Sequence, residues 1–289
     1  MTTPVYRDFD ADEFERQYNA RILVPDSEAI VAGLTERSQA YRANADNAHL
    51  DIQYGTSARE RLDVFPAADA KAPVLLYIHG GYWRSRDKDS YSFIAEALVD
   101  SGVTVVICNY SLCPHVTLGH IVRQVRAVCI WIWNHIEQYN GSAHKLRVCG
   151  NSAGAHLSAM LAATDWPEAD LTLPADLIKG VVSLSGLFDL EPLLQHSVNE
   201  TLNLTPESAR RHSPILMQPT LAGPFICAVG SEESAEFKRQ SREFAEAWKQ
   251  QGADMEFVEV AGRDHFSIVT DFIRDDYVMA QKLKHLLGV

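Results

Sequence analysis

The sequence predicts an α/β fold, a mostly parallel sheet of eight strands with helices on both faces. Three observations predict it. From about residue 49 onward, short apolar runs alternate with stretches whose apolar residues recur at helical spacing. Most of those runs are continuously apolar, as strands buried on both faces require. The composition is that of a globular chain: 289 residues, 46% hydrophobic and 22% charged, with a mean hydropathy of −0.13. A chain of this length buries a large core without disulfides.

The elements follow in order. Residues 1–48 read as an N-terminal helical extension. Phe9, Phe14 and Tyr18 share one side, and Pro25-Asp26 breaks the pattern before a second helix. His49–Tyr54 and Glu60–Phe65 flank Gly55-Thr56-Ser57 and predict a hairpin. Val74–His79 is a buried strand, Ser90–Asp100 a helix and Val103–Asn109 a strand. Thr117–Gln138 is a long helix carrying Ile121, Val125, Val128 and Ile132 on one face. Leu146–Gly150 is a strand, Ser152–Thr164 a helix and Ile178–Leu184 a strand. Residues 185–223 form an oversized connection with four prolines, predicted as a lid-like insertion. Phe225–Val229 (strand), Ala235–Gln251 (helix), Met255–Val260 (strand) and Asp275–Leu287 (helix) complete what reads as one domain over 1–289.

Charge and composition exclude several functions. Lys plus Arg is 26 against 38 Asp plus Glu, a net charge of −12. That balance argues against nucleic-acid binding and against docking on anionic membranes. No run of 18 apolar residues predicts a membrane span. Met1 to Asp12 lacks the basic start and apolar stretch of a signal peptide. The cysteines, Cys108, Cys113, Cys129, Cys149 and Cys227, are scattered and odd in number. They predict reduced thiols in a cytoplasmic protein. Neither metal-ligand spacing nor a nucleotide-binding glycine motif occurs, so no metal and no cofactor are expected.

Gly150-Asn151-Ser152-Ala153-Gly154 matches G-x-S-x-G between a predicted strand and a predicted helix. A serine nucleophile there projects from a sharp turn crowded enough to demand small neighbours. His79-Gly80-Gly81-Tyr82-Trp83 follows the third strand. Glycines let backbone N–H groups approach an oxyanion, so Gly80 and Gly81 are candidate donors together with Ala153. Tyr82 and Trp83 either flank the substrate, narrowing the acyl side and stacking on an aromatic leaving group, or simply pack.

A serine needs a base, and the base an orienting acid. His265, after the eighth strand, is the candidate base. His79 reads as a loop-organising hydrogen bonder and His156 as structural. His49, His115, His144, His196, His212 and His285 read as ordinary surface or core residues. The acid is expected after the seventh strand, where Glu232, Glu233 and Glu236 compete, with Asp189 after the sixth strand as a fallback.

These residues resemble those of α/β-hydrolases, and more narrowly of the kynurenine formamidase (arylformamidase) type. The narrow resemblance rests on His79-Gly80-Gly81-Tyr82-Trp83 and on Ser185-Gly186-Leu187-Phe188-Asp189-Leu190-Glu191-Pro192. Ser197-Val198-Asn199, Ser213-Pro214, the stretch Glu233–Ser241 and Asp264-His265-Phe266 extend it, and Gln17-Tyr18-Asn19 and Val24-Pro25-Asp26 resemble bacterial members. The resemblance puts the triad acid on Glu233, where the family has Asp. It implies a serine hydrolase of small aromatic amides or esters, with N-formylkynurenine as the leading substrate and a possible homodimer. A short-acyl carboxylesterase is the alternative, and an inactive hydrolase-fold binding module a third reading.

Overall fold

Eight strands form one sheet in the order β1-β2-β4-β3-β5-β6-β7-β8. The computed structural model describes residues 4–270, 272 and 274–289. The strands are β1 (His49–Gln53), β2 (Arg61–Phe65), β3 (Ala72–Ile78), β4 (Thr104–Cys108), β5 (Gly141–Asn151), β6 (Ile178–Leu184), β7 (Phe225–Gly230) and β8 (Met255–Val260). Only β2 runs against its neighbours, and β4, β3, β5, β6, β7 and β8 are mutually parallel. The expected fold class is borne out, eight strands and antiparallel first pair included.

Successive side chains of a strand point to opposite faces, and β3 feeds two cores accordingly. Val74, Leu76 and Ile78 pack on the side of α5 (Leu118–His135), α6 (Ala153–Ala162) and α10 (Ala235–Gln250). Leu75 and Tyr77 pack on the side of α4 (Phe93–Leu98) and α12 (Val278–Leu287). The expected helix over Ser90–Asp100 is α4 between two 3-10 turns, Lys88–Tyr91 and Val99–Ser101, closed by left-handed Gly102. Strand β5 begins five residues earlier than expected, because Gly141 already pairs with Ala72 of β3; a Cβ at 141 would collide with Val74 and Ile136. The closing helix starts at Val278, since Tyr277 is still extended.

The connection over 185–223 is built from short pieces: 3-10 turns at Pro192–Gln195 and Pro214–Leu216, α8 (Asn199–Leu202) and α9 (Pro206–Arg211). Three of its four prolines start a turn of helix, where a missing N–H leaves nothing unsatisfied. Two short helices are α7 (Trp166–Ala169) and α11 (Ser267–Thr270).

The N-terminal helices α1 (Ala11–Tyr18), α2 (Ala20–Leu23) and α3 (Ser27–Asn44) are fastened by buried polar contacts. Tyr18 Oη donates to Glu236 Oε2 at 2.6 Å, Ser234 Oγ to Gln17 O at 2.6 Å and Glu236 N to Gln17 Oε1 at 3.0 Å. Arg42 of α3 pairs with fully buried Asp63 of β2. Lys88, itself buried, reaches Asp51 at 2.8 Å, Asp63 at 2.9 Å and Asp89 at 2.8 Å. All five cysteines are buried free thiols. Among the described residues, no helix is long and apolar enough to cross a membrane.

Candidate active site

The strand order sets β3, β5, β6, β7 and β8 side by side, so the loops at their carboxyl ends meet along one edge. Ser152 stands between β5 and α6 at φ 54° and ψ −119°, with its N–H donated to Leu184 O at 2.8 Å. The flanking glycines are sterically required. A Cβ on Gly154 would lie 1.9 Å from Ile78 O, and one on Gly150 2.4 Å from Gly154 O. The strained elbow is thus wedged between β3 and α6, as a presented nucleophile demands.

The loop after β3 is tightly wound. Gly81, Tyr82, Trp83 and Arg86 all have positive φ, and Gly81 O accepts from Arg84 N and Ser85 N. Gly80 N donates to Asn151 Oδ1 at 3.0 Å, the same oxygen that accepts from Tyr77 Oη at 2.9 Å. This corrects the expectation for Gly80: its N–H is committed to Asn151 and is not a free oxyanion donor. Gly81 lines the cavity beside Ser152. Ala153 occupies the first helical position, where an N–H has no intrahelical acceptor.

Trp83 is also corrected. It is fully buried, edge-on to His156 at 4.9 Å, and does not line the cavity. Tyr82 does line it, and its hydroxyl donates to Tyr18 O at 2.6 Å. Burial pushes the Tyr82 phenol well above its ordinary value, so it remains a donor. His79 is fully buried, stacked on Tyr110, and joined through Nδ1 to Gly80 O at 2.7 Å. Burial lowers it to about 4. His156 is lowered by burial to about 3, and its Nε2 meets His212 O at 2.8 Å. Both rings are neutral at pH 7.

His265 Nδ1 donates to Glu233 Oε2 at 2.7 Å. The other oxygen, Oε1, accepts from Ser185 Oγ at 2.5 Å and from Gly230 N at 2.8 Å. Glu233 is therefore a buried carboxylate with three donors. Gly230 lets the His265 loop pass close by, since a Cβ there would lie 2.0 Å from Arg263 O. Phe237 packs on His265 at 4.6 Å. The competing acids are engaged elsewhere: Glu232 is exposed, Glu236 is held by Tyr18 and Arg239, and Asp189 accepts from Glu191 N. Burial raises the Asp189 carboxyl.

Ser152 and His265 line one cavity of about 440 Å³. Sequence reasoning missed much of its wall. Glu15, Tyr18, Asn19, Val31 and Leu34 come from the N-terminal helices. His196, Ser197 and Val198 come from the 185–223 connection, so His196 is a cavity residue rather than an ordinary one. The Gln17-Tyr18-Asn19 and Ser197-Val198-Asn199 segments carried the only sequence signal for this wall. Among the described residues, no group of three or more His, Cys, Asp or Glu is arranged to hold a metal ion.

A family model described as BD-FAE matches residues 62–246, more than half of the chain. The chain is 33% identical to a kynurenine formamidase of Danio rerio, over 98% of each chain. It is 34% identical to one of Salmo salar, again over 98% of each. A solved structure from Silicibacter sp. superposes with a TM-score of 0.83 at 26% identity, covering 93% of this chain and 98% of that one. A hyperthermophilic esterase from Pyrobaculum calidifontis, 17% identical with a TM-score of 0.71 over 93% and 96% of the two chains, shares the fold. The elbow, the sheet order and these full-length likenesses agree, and the chain belongs to the BD-FAE family of α/β-hydrolases, as a hydrolase of amides or esters.

Proposed function

We propose that the protein is a serine hydrolase of the arylformamidase type, cleaving N-formylkynurenine-like aromatic formamides through an acyl-enzyme. The observation that carries this reading is the shared cavity of Ser152 and His265, with His265 held by buried Glu233. Ser152 Oγ attacks the formyl carbon and His265 Nε2 takes its proton. Glu233 fixes the tautomer, because Nδ1 carries the hydrogen it accepts, and it stabilises the imidazolium that forms. Gly81 N–H and Ala153 N–H receive the oxyanion; removing one such donor costs about 3 kcal/mol of transition-state stabilisation. His265 then protonates the leaving aryl amine. Water, activated by the same ring, releases formate and restores Ser152.

The cavity has room for one aromatic ring with a short side chain and a small acyl group. Tyr82, Tyr91 and Phe266 supply apolar wall, and the 185–223 insertion acts as a binding element through His196, Ser197 and Val198. The same reading sets the free thiols in a reducing, cytoplasmic compartment and includes a homodimer, which sedimentation of the purified chain checks.

A panel of aryl formamides, acetamides and short aryl esters tests the reading. Highest kcat/KM is expected for the formamides, with turnover abolished in Ser152→Ala while circular dichroism is unchanged. Rapid ester turnover with no formamide cleavage would move the protein to the carboxylesterase alternative. Labelling of another serine by an organophosphate, with Ser152 unmodified, would remove the nucleophile assignment.

A further inference from the structure

Three arginines line the cavity, and the side chain of one is unpaired. Arg21 pairs with Glu28 at 2.8 Å, and Arg84 donates to Thr201 Oγ1 at 3.3 Å. Arg86 is half-buried. Among the described residues, its guanidinium has neither a hydrogen-bond acceptor nor a carboxylate within ion-pair distance. Asp87, its neighbour in sequence, is taken by Arg59 at 3.1 Å and by Asn109 Nδ2 at 2.8 Å. Withdrawing a cation from water is costly unless an anion or acceptor meets it.

The backbone is bent to put the side chain there. Arg86 stands at φ 79°, a left-handed conformation that a long side chain rarely adopts. Arg59 Nη2 secures it by donating to Arg86 O at 2.9 Å. The side chain packs against Gly81, where a Cβ would lie 2.7 Å from Arg86 Cγ. Its charge also reaches Tyr91: burial raises that phenol, while the Arg86 cation and the Asn151 amide oppose the rise. Asn151 precedes Ser152, and Gly81, Arg86, Tyr91, Asn151 and Ser152 belong to one cavity wall. On the proposed mechanism, the carbon attacked by Ser152 Oγ has its oxygen on Gly81 N–H. Negative charge that arises at that carbon therefore arises on the Arg86 side of the cavity.

We propose that Arg86 is a carboxylate subsite at the acyl end of the cavity, seating the small carboxylate released from Ser152. It rests on the formamidase reading for the source of that carboxylate. Water adds to the acyl carbon and passes a proton to His265. The bond from that carbon to Ser152 Oγ then breaks, and Ser152 Oγ takes the proton back. The carboxylic acid set free gives its own proton to solvent, so a formyl group leaves as formate. A guanidinium matches a carboxylate by two parallel hydrogen bonds. The neutral acyl group of the substrate offers no such match, so Arg86 favours product over substrate. Small carboxylates are therefore inhibitors.

Isotope-labelled formate, titrated against the full chain carrying Ser152→Ala and read by NMR line width, measures the subsite without turnover. Formate is expected to bind about tenfold more tightly than neutral formamide, which has the same shape. Adding Arg86→Gln should weaken formate about tenfold and leave formamide unchanged. Arg86→Lys, which keeps the charge and loses the fork, should fall between. With Ser152 in place, formate should inhibit hydrolysis competitively, and Arg86→Gln should raise its Ki about tenfold. Arg86→Gly separates binding from fold. Glycine accepts φ 79° without strain, so formate binding should be lost with Tm unchanged or higher. A lower Tm with formate affinity intact would make Arg86 a structural residue and overturn the subsite. Equal binding of formate and formamide, or formate affinity indifferent to Arg86→Gln, would overturn it even if aryl formamides are cleaved. Arg86-dependent formate binding in a chain that cleaves no aryl formamide would uphold the subsite and remove the formamidase reading instead.

Discussion

Ser185 donates its hydroxyl to Glu233 Oε1 at 2.5 Å, from a backbone held in the left-handed region at φ 55°. With Gly230 N on the same oxygen, Oε1 is saturated and Oε2 is left to His265. Ser185, the residue after β6, thus anchors an acid on a different loop, which fixes the side chain in rotation as well as position. Removing the hydroxyl leaves one donor on Oε1 and a carboxylate free to turn. Ser185→Ala is expected to lower kcat by about tenfold with little change in KM, as loss of one hydrogen bond to a charged group implies. Steady-state kinetics on one formamide decides it; an unchanged kcat would show that Gly230 alone holds the carboxylate.

On the proposed roles, Glu233→Gln should lower kcat by about 10⁴-fold, because an amide favours the wrong imidazole tautomer and cannot stabilise the imidazolium. Glu233→Asp is the finer test. Three donors, from the residue after β6, the last residue of β7 and the His265 loop, converge on a carboxylate at glutamate reach. A shorter side chain cannot meet all three, so Asp should restore only part of the rate. Asp189→Asn, by contrast, should leave kcat within a few-fold, since Asp189 bonds Glu191 N. A large loss there with a mild Glu233→Gln would transfer the acid to the end of β6.

Glu236 gives a pH-dependent stability. Burial alone would raise its carboxyl, but Arg239 and the Tyr18 hydroxyl outweigh that and hold it below its ordinary 4.5. A carboxyl lowered by folding stabilises the fold above its unfolded value, and that contribution disappears as pH falls through the folded value. Glu236→Gln should therefore destabilise the chain by roughly 2–4 kcal/mol at pH 7. Urea titrations at pH 7 and at successively lower pH below 4.5 should show the gap between variant and wild type closing. A gap independent of pH would mean that packing, not charge, is lost.

Lys88 is 1% exposed and surrounded by Asp51, Asp63 and Asp89. Its carboxylate neighbours outweigh burial and keep it above its ordinary value. Lys88→Ala leaves fully buried Asp63 with Arg42 as its remaining cation, and should cost about 3–5 kcal/mol. Because Arg42 belongs to α3, hydrogen exchange should rise first in residues 27–44. Global destabilisation with no preference for that helix would show that the N-terminal helices do not depend on this cluster.

The sheet was legible because parallel central strands must be apolar on both faces, and runs such as Val103–Asn109 or Ile178–Leu184 have few other fates. The elbow was legible for a steric reason visible in the alphabet itself: Gly150 and Gly154 are the residues a crowded strand–helix turn permits. What failed were roles set by partners distant in sequence. Gly80 looked identical to Gly81 as a donor until Asn151 claimed its N–H. Tyr82 and Trp83 are adjacent aromatics with the same local composition, and only the winding of their loop sends one to the cavity and the other into the core. Glu15 carried no motif at all, because its place in the cavity wall exists only once α1 lies against the loop after β3.

The latch between Gln17, Tyr18 and the Ser234–Glu236 turn makes the two ends of the chain interdependent. On the proposed roles, the reactive groups are supplied from residue 152 onward, whereas a large part of the cavity wall is supplied before residue 35. On those roles, exchanging the leading helices between relatives should change selectivity with Ser152 and the sheet untouched, provided Gln17 and Tyr18 travel with them. A donor segment lacking those two residues would loosen the turn that presents Glu233, so a change meant for recognition would surface as a defect in proton transfer.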